Sequence, residues 1–245
     1  MPKQAKRGRI DLLLVERGLA ESRQQAQALV MAGQVCAAGQ PISKPGALVD
    51  RDAPIEVKER LPYVSRGGLK LAHSLDTWRL DVSGVTALDV GASTGGFTDC
   101  LLQRGARRVY AVDVGHGQLH YRLRSDPRVV STEGLNARYP FPLPEPVDLA
   151  TVDVSFISLT LVLPQAVAHL VPGGHIVALV KPQFEARREE VGRGGVVRDP
   201  HTHAAVLARV CGWAIGQGLR LRGITPSPVT GDAGNREFFL LLQAE

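Results

Sequence analysis

The run Leu88-Asp89-Val90-Gly91-Ala92-Ser93-Thr94-Gly95-Gly96-Phe97 reads as a strand that turns sharply into a helix. Its glycines and small side chains let the backbone come close to a ligand, and the helix N-terminus offers free amide donors. Outward from this turn, strand-like and helical runs alternate. A helix from about Leu69 to Trp78 precedes it, and the helix it opens runs through Leu102. Val109 to Val112, Val129-Val130 and Asp148 to Val152 read as strands, followed by a helix through His169 and a strand from His175 to Val180. That alternation predicts an α/β fold: a mainly parallel sheet with helices on both faces. Pro228 to Gln243 instead reads as two extended segments about Gly231-Asp232-Ala233-Gly234, an antiparallel hairpin at the sheet edge.

The spacing Gly91-x-Ser93-x-Gly95 is not the G-x-G-x-x-G of dinucleotide folds. It resembles the glycine-rich turn of class I (Rossmann-like) S-adenosylmethionine methyltransferases. That resemblance implies S-adenosylmethionine as cofactor, with Gly91, Ser93, Gly95, Gly96 and Phe97 at its binding turn. Asp113 closes the second strand, where a carboxylate can accept from both ribose hydroxyls of an adenosyl group and would repel a 2′-phosphate. Asn136, beyond the third strand, is a candidate contact to adenine or its ribose, with a turn-forming Asn as the competing reading.

Four further residues carry chemistry: Lys70 in the helix before the turn, Asp153 after Thr151-Val152, Lys181 after Val177 to Val180, and Glu237 entering the last strand. Asp153 and Lys181 follow strands, which puts them at the carboxyl edge of the sheet, where ligands bind in this architecture. The order Lys–Asp–Lys–Glu resembles the tetrad of FtsJ-like ribose 2′-O-methyltransferases. A ribose hydroxyl is a poor nucleophile that must lie in line with a sulfonium methyl group. A nearby lysine can orient it and stabilise developing negative charge, while carboxylates hold the lysines in place. An amino-group methyltransferase would show Asn/Asp-Pro-Pro-aromatic where this chain has Asp153-Val154-Ser155-Phe156. A C5-cytosine enzyme needs a cysteine nucleophile, and Cys100 and Cys211 fall inside helices with core-like neighbours.

The first sixty residues read differently. Ile10 to Arg17 is a short helix stopped by Gly18. Ser22 opens a second, with Gln25 completing a capping box, and Gly33 ends it. Strands are expected at Val35 to Ala37 and Ile55 to Val57, with Gly39-Gln40-Pro41 as a turn after the first. This stretch resembles the S4-type RNA-binding module, a small α+β domain. On that resemblance Arg23 at the second helix start and Lys44 in Lys44-Pro45 face RNA phosphates, with Arg7, Arg9 and Arg66 adding charge. Ala37-Ala38-Gly39 stands where the module usually has Val-Asn-Gly. The organisation expected is an S4-type domain over 1–60, a linker over 61–68 and an FtsJ-like methyltransferase domain over 69–245.

Module and tetrad together resemble the TlyA family across nearly the whole chain. That implies an enzyme methylating cytidine ribose 2′-oxygens of ribosomal RNA, 16S or 23S or both, acting on ribosomal RNA or ribosomal subunits. Members of that family have also been called haemolysins.

Composition fits. The chain has 245 residues, 44% hydrophobic and 22% charged, with a formal net charge of +5, which suits a globular protein with a polyanionic partner. Cys36, Cys100 and Cys211 are far apart and match neither a disulfide framework nor a zinc site, so a reduced cytoplasmic protein without a metal is expected. The basic start from Met1 to Arg9 precedes only four apolar residues, Leu12 to Val15, which is no secretory signal. A membrane-active haemolysin would need a span or an amphipathic insertion segment, and neither is seen; no stable membrane association is expected. A pseudouridine synthase, another S4 carrier, is disfavoured by the glycine turn and Asp113. A non-catalytic RNA-binding protein with a Rossmann shell remains the other alternative. The loop from Phe184 to Asp199, with Arg187, Arg188, Arg193 and Arg198 among Gly192, Gly194 and Gly195, is expected to be a mobile lid over RNA, with a solvated surface loop as the competing reading.

Overall fold

In the computed structural model the quoted turn joins strand β6 (Thr86–Val90) to helix α4 (Gly96–Gln103) at the centre of a seven-stranded sheet. The structure describes residues 7–31, 33–57 and 62–245. Met1 to Lys6 of the basic start and Leu61 of the expected linker lie outside the described residues. The chain divides into two compact units, Met1–Leu61 and Pro62–Glu245.

The first unit contains β1 (Arg7–Arg9), α1 (Ile10–Glu16), α2 (Arg23–Met31), β2 (Val35–Ala37), β3 (Gln40–Pro41), β4 (Leu48–Asp50) and β5 (Ile55–Val57). Ile10, Leu14, Ala26, Val30 and Val35 form its small core. Ser22 Oγ accepts from the Gln25 N–H at 3.2 Å, but the Gln25 side chain accepts from Glu21, one residue upstream of the expected capping-box partner. Gln40-Pro41 is not turn but strand, paired with β2; the turn is Ala38-Gly39, both at positive φ (48° and 74°). Alanine here takes a left-handed conformation that asparagine adopts more readily.

In the second unit, α3 (Arg66–Trp78) begins at Arg66, ahead of the expected Leu69, and precedes β6 and α4. Then follow β7 (Arg108–Asp113), α5 (Tyr121–Arg124), β8 (Val129–Glu133), β9 (Val147–Val152), α6 (Leu159–Val167), β10 (Leu170–Val180), α7 (Pro182–Glu185), α8 (Pro200–Gly216), β11 (Arg220–Pro226) and β12 (Phe238–Gln243). The order is β11-β12-β10-β9-β6-β7-β8. From β10 to β8 every pair is parallel; β12 runs antiparallel to both of its neighbours. Alternation along the strands builds a core on each face. Leu88, Tyr110, Ile176 and Ala178 pack on one side, and Ala87, Val109, Val177 and Leu179 on the other.

The terminal hairpin differs from expectation. Its first arm is β11, well upstream of Pro228, and residues 227–237 form a loop with one 3-10 turn at Asp232–Gly234. Pro226 and Pro228 lack the N–H a ladder needs, and Ser227 turns the chain, donating its hydroxyl to the Val229 carbonyl. The apolar run Phe239 to Leu242 is buried, so β12 lies inside the sheet and β11 takes the edge.

Candidate active site

Four strand ends and one helix converge on a cavity of about 530 Å³, within the range of ligand sites. Lys70 reaches it from α3. Parallel pairing of β9 with β10 brings their carboxyl ends together, so Asp153 and Lys181 emerge side by side. The antiparallel register places Phe238 opposite Val180, which sets Glu237 beside Lys181. All four side chains line the cavity and form two ion pairs: Lys70 Nζ to Glu237 Oε2 at 2.5 Å and Lys181 Nζ to Asp153 Oδ1 at 2.6 Å. The Lys181 ammonium also donates to Ser155 Oγ at 2.9 Å. Burial pushes the Glu237 carboxyl above its usual range, with Lys70 and Lys181 pulling back. The site is thus two lysines and two carboxylates, neutral in sum and largely removed from water, the setting in which fixed charges act most strongly.

Gly91 permits the close approach of the two central strands at the turn. Its φ is +83°, and a Cβ there would lie 2.3 Å from the Asp153 carbonyl oxygen. Gly231 leaves room for the Glu237 carboxylate itself: a Cβ would meet Oε1 at 2.2 Å. Ser93 and Gly96 line the cavity, and Phe97 does so at its edge while packing against Phe239 in the core. Gly95 sits against Leu119 and Leu123 instead. Asp113 braces the turn from the end of β7. Oδ2 accepts from the Ser93 N–H at 2.8 Å, and Oδ1 from the Gly115 N–H at 2.7 Å. Asn136 follows Leu135, whose N–H donates to the Asp113 carbonyl, but its own Oδ1 accepts from the Arg138 N–H at 3.1 Å, a turn role.

Several residues at the cavity carry no signal in a lone sequence. Phe156, 90% exposed at φ +64°, stands beside the Phe184 ring, with centroids 4.8 Å apart. Gln183 Oε1 is buried without a hydrogen-bond partner among the described residues. Asn235 donates to the Gly195 carbonyl at 2.9 Å and accepts from the Val197 N–H at 3.0 Å. Beneath the turn, Asp89 is fully buried and accepts from Thr98 Oγ1 at 2.6 Å and Thr151 Oγ1 at 2.9 Å. Phe156 and Gln183 follow β9 and β10 and Asp89 lies on β6, which was the one available clue to them; Asn235, in the loop before β12, had none.

The residues expected to meet RNA fall in different places. In the first unit, Arg9 and Arg23 both bond the carboxylate of Asp11, which is buried; Arg9, and with it Gln27 and Arg23, holds that carboxyl well below the usual range. Arg7 and Lys44 are exposed, and the Lys44-Pro45 segment bonds the start of α1 through the Pro45 carbonyl. Arg66 belongs instead to the second unit, lining the catalytic cavity. The expected mobile lid is anchored along its second half: Val196 and Val197 are buried, and Asn235 holds the backbone on either side of Val196.

Burial raises the Cys100 thiol to about 11, which removes it as a nucleophile. Among the described residues, no group of His, Cys, Asp and Glu is arranged to hold a metal, and no helix is long and apolar enough to cross a membrane.

A parallel sheet with this strand-end site defines a methyltransferase, and comparison with known proteins gives its kind. Residues 63–244 match the FtsJ-like methyltransferase model and residues 8–55 the S4 domain. The chain belongs to the FtsJ-like methyltransferases and, within them, to the TlyA family. It is 51% identical to YqxC of Bacillus subtilis, over 97% of this chain and 86% of that protein. It is 47% identical to the 16S/23S rRNA (cytidine-2′-O)-methyltransferase TlyA of Mycobacterium tuberculosis, over 98% and 91%. A solved structure of a hemolysin-named protein from Streptococcus thermophilus superimposes with a TM-score of 0.76 at 46% identity, covering 98% of this chain and 89% of that one.

Proposed function

We propose that this chain transfers a methyl group from S-adenosylmethionine to the ribose 2′-oxygen of a cytidine in ribosomal RNA, in the cytoplasm, on ribosomal subunits or their RNA. The observation that carries this reading is the pair of lysine–carboxylate bridges in one cavity beside the glycine turn. The residues present suit the cofactor. Gly91 leaves no side chain between the turn and Asp153, and the Asp113 carboxylate at the end of β7 offers acceptors to a ribose. Bound there, S-adenosylmethionine supplies an electrophilic sulfonium methyl group.

The protein's own groups do the rest. Lys181 orients the 2′-hydroxyl and stabilises the negative charge that grows on its oxygen. Asp153 and Ser155 fix the Lys181 ammonium, and Glu237 fixes that of Lys70. The proton leaving the 2′-oxygen is taken up by the lysine–carboxylate set, whose carboxylates can accept it. Ser93, Gly96 and Phe97 belong to the cofactor side of the site, with Gly95 shaping the turn behind them and Asn136, its Oδ1 committed to the Arg138 N–H, offering only its amide N–H2 to the adenosyl group. Arg7, Arg9, Arg23, Lys44 and Arg66 belong to the RNA side. In this reading residues 1–60 anchor RNA and, since α3 begins at Arg66 inside the expected linker, 66–245 catalyse. Transfer of labelled methyl to purified ribosomal subunits, with mapping of the modified nucleotide, tests it. Label on a cytidine 2′-oxygen is the expected result; none on either subunit, or label on a base, overturns it.

A further inference from the structure

We propose that Arg198 and Arg236 form a subsite for a backbone phosphate of the RNA strand, next to the nucleotide being methylated. The inference rests on the RNA methyltransferase reading and adds to it a ligand group and a location. A second cavity of about 430 Å³ has Val197 and Arg198 on one wall and Ala233 and Arg236 on the other. Ala233 also lines the catalytic cavity, so the two spaces adjoin.

The walls are held by the protein itself. Asn235, 2% exposed, uses both ends of its amide: Oδ1 accepts from the Val197 N–H at 3.0 Å and Nδ2 donates to the Gly195 carbonyl at 2.9 Å. His203, buried on α8, donates through Nε2 to the Val197 carbonyl at 3.0 Å. The backbone bearing each arginine is therefore fixed relative to the other before any ligand arrives, which lowers the ordering cost of binding.

Among the described residues this charge is uncompensated: none lining the cavity is acidic, and none forms an ion pair or hydrogen bond with Arg198 or Arg236. The neighbouring Asp199 is committed elsewhere: it caps α8 by accepting from the His201 N–H, the Thr202 N–H and the Thr202 hydroxyl. Two exposed guanidinium groups on one rigid concavity match a phosphodiester, whose oxygens take the parallel N–H pairs of arginine. A strand whose ribose enters the catalytic cavity carries its neighbouring phosphate toward the cavity that shares Ala233.

The test uses the full chain and its Arg198→Gln/Arg236→Gln double variant, with a double Lys variant as the conservative control. Methyl transfer to ribosomal subunits and equilibrium binding of the same subunits are measured across salt. The Gln variant is expected to raise the KM for RNA about tenfold, with kcat and cofactor affinity unchanged. The log–log salt slope of binding should become shallower by roughly 0.7, the share of one single-strand phosphate contact. The Lys variant should keep most of that slope. If the wild type transfers methyl and the Gln variant retains both KM and slope, the subsite is wrong while the function stands. If the wild type binds subunits but transfers nothing, the function fails, and the slope still decides the subsite.

Discussion

The carboxylate of Glu185 and the hydroxyl of Ser158 meet at 2.7 Å, tying the segment after β10 to the start of α6. The other oxygen of Glu185 accepts from the Leu159 N–H at 2.7 Å, and Arg209 holds the Glu185 carbonyl at 2.5 Å. The two chain segments carrying Lys181 and Asp153 are thus fastened a few residues beyond the site. Glu185→Ala leaves the first turn of α6 without this acceptor and should cost about 1–2 kcal/mol, by analogy with a lost helix cap. Urea unfolding measures this, and kcat should fall more than cofactor affinity. Glu185→Gln can accept from Leu159 and donate to Ser158, and should restore both. Wild-type stability and rate in Glu185→Ala would show the tie to be idle.

Asp89 gives a pH signature. Burial pushes its carboxyl up to about 6, against the pull of the Thr98 and Thr151 hydroxyls. A folded-state value above the unfolded one means the folded protein binds the proton more tightly. This contribution to stability is therefore full below about pH 4 and lost as pH rises through about 6. A shift of roughly two units corresponds to about 3 kcal/mol as an order of magnitude. Asp89→Asn removes the titration while keeping a side chain that both hydroxyls can bond. Its stability relative to wild type should climb between pH 4 and 7 in thermal unfolding. A difference that stays flat across that range would show that Asp89 keeps an ordinary carboxylate pKa in the folded protein.

Asp113 has two duties, and its variants separate them. Asp113→Ala removes the proposed ribose acceptor and also strands the Ser93 and Gly115 N–H donors. It should weaken S-adenosylmethionine binding in calorimetry by tenfold or more, since each charge-assisted bond is worth about 1.5–3 kcal/mol. Asp113→Asn keeps one acceptor oxygen and should fall between. Unchanged affinity in Asp113→Ala would remove it from the cofactor site.

The glycine turn, Asp113, Asp153 and Lys181 were legible because each follows a strand, which local pattern marks; Lys70, on a helix, and Glu237, ahead of β12, were reached only through the resemblance in residue order. What stayed hidden depends on pairing across the chain. Asn235 acquires its role only because β12 runs antiparallel beside β10, delivering the loop at 227–237 to the cavity. That same register was misread, because Pro228 and the Gly231–Gly234 cluster look like a hairpin turn when their neighbours are unknown. The strands β1 and β4 are three residues each, too short to leave a period in the sequence. The pairing of Arg9 and Arg23 with Asp11 was likewise invisible, since it brings together the ends of two helices.

That pairing changes how the RNA module is tested. Arg23→Glu would set a second carboxylate beside the buried Asp11 and threaten the fold of the unit. Arg23→Gln keeps a donor toward Asp11 while removing the cation. It should weaken subunit binding several-fold and make the salt dependence shallower by less than one unit of slope. Cofactor affinity should be intact, because the two sites lie in separate units. Unaltered binding at moderate salt would show that this arginine serves Asp11 alone.

Lys181→Ala should abolish methyl transfer with S-adenosylmethionine affinity nearly unchanged. Lys181 leaves the carboxyl end of β10 bonded to Asp153 and Ser155, three strands along the sheet from β7, which carries Asp113. Its contribution is therefore made toward the acceptor oxygen as charge develops, lowering the rate constant more than binding. Loss of such a group costs on the order of a hundred-fold or more. Lys181→Arg should fail as well, since a planar guanidinium cannot take the compact position that Asp153 and Ser155 define. Ser155→Ala should fall in between, leaving the ion pair but loosening the ammonium. Because Lys181 and Asp153 act as a unit, removing both should cost little more than removing Lys181 alone. Single-turnover transfer to ribosomal subunits, alongside calorimetry of cofactor binding, reads all four variants. A near-normal rate in Lys181→Ala would take this residue out of the mechanism and leave the two ion pairs as structure only.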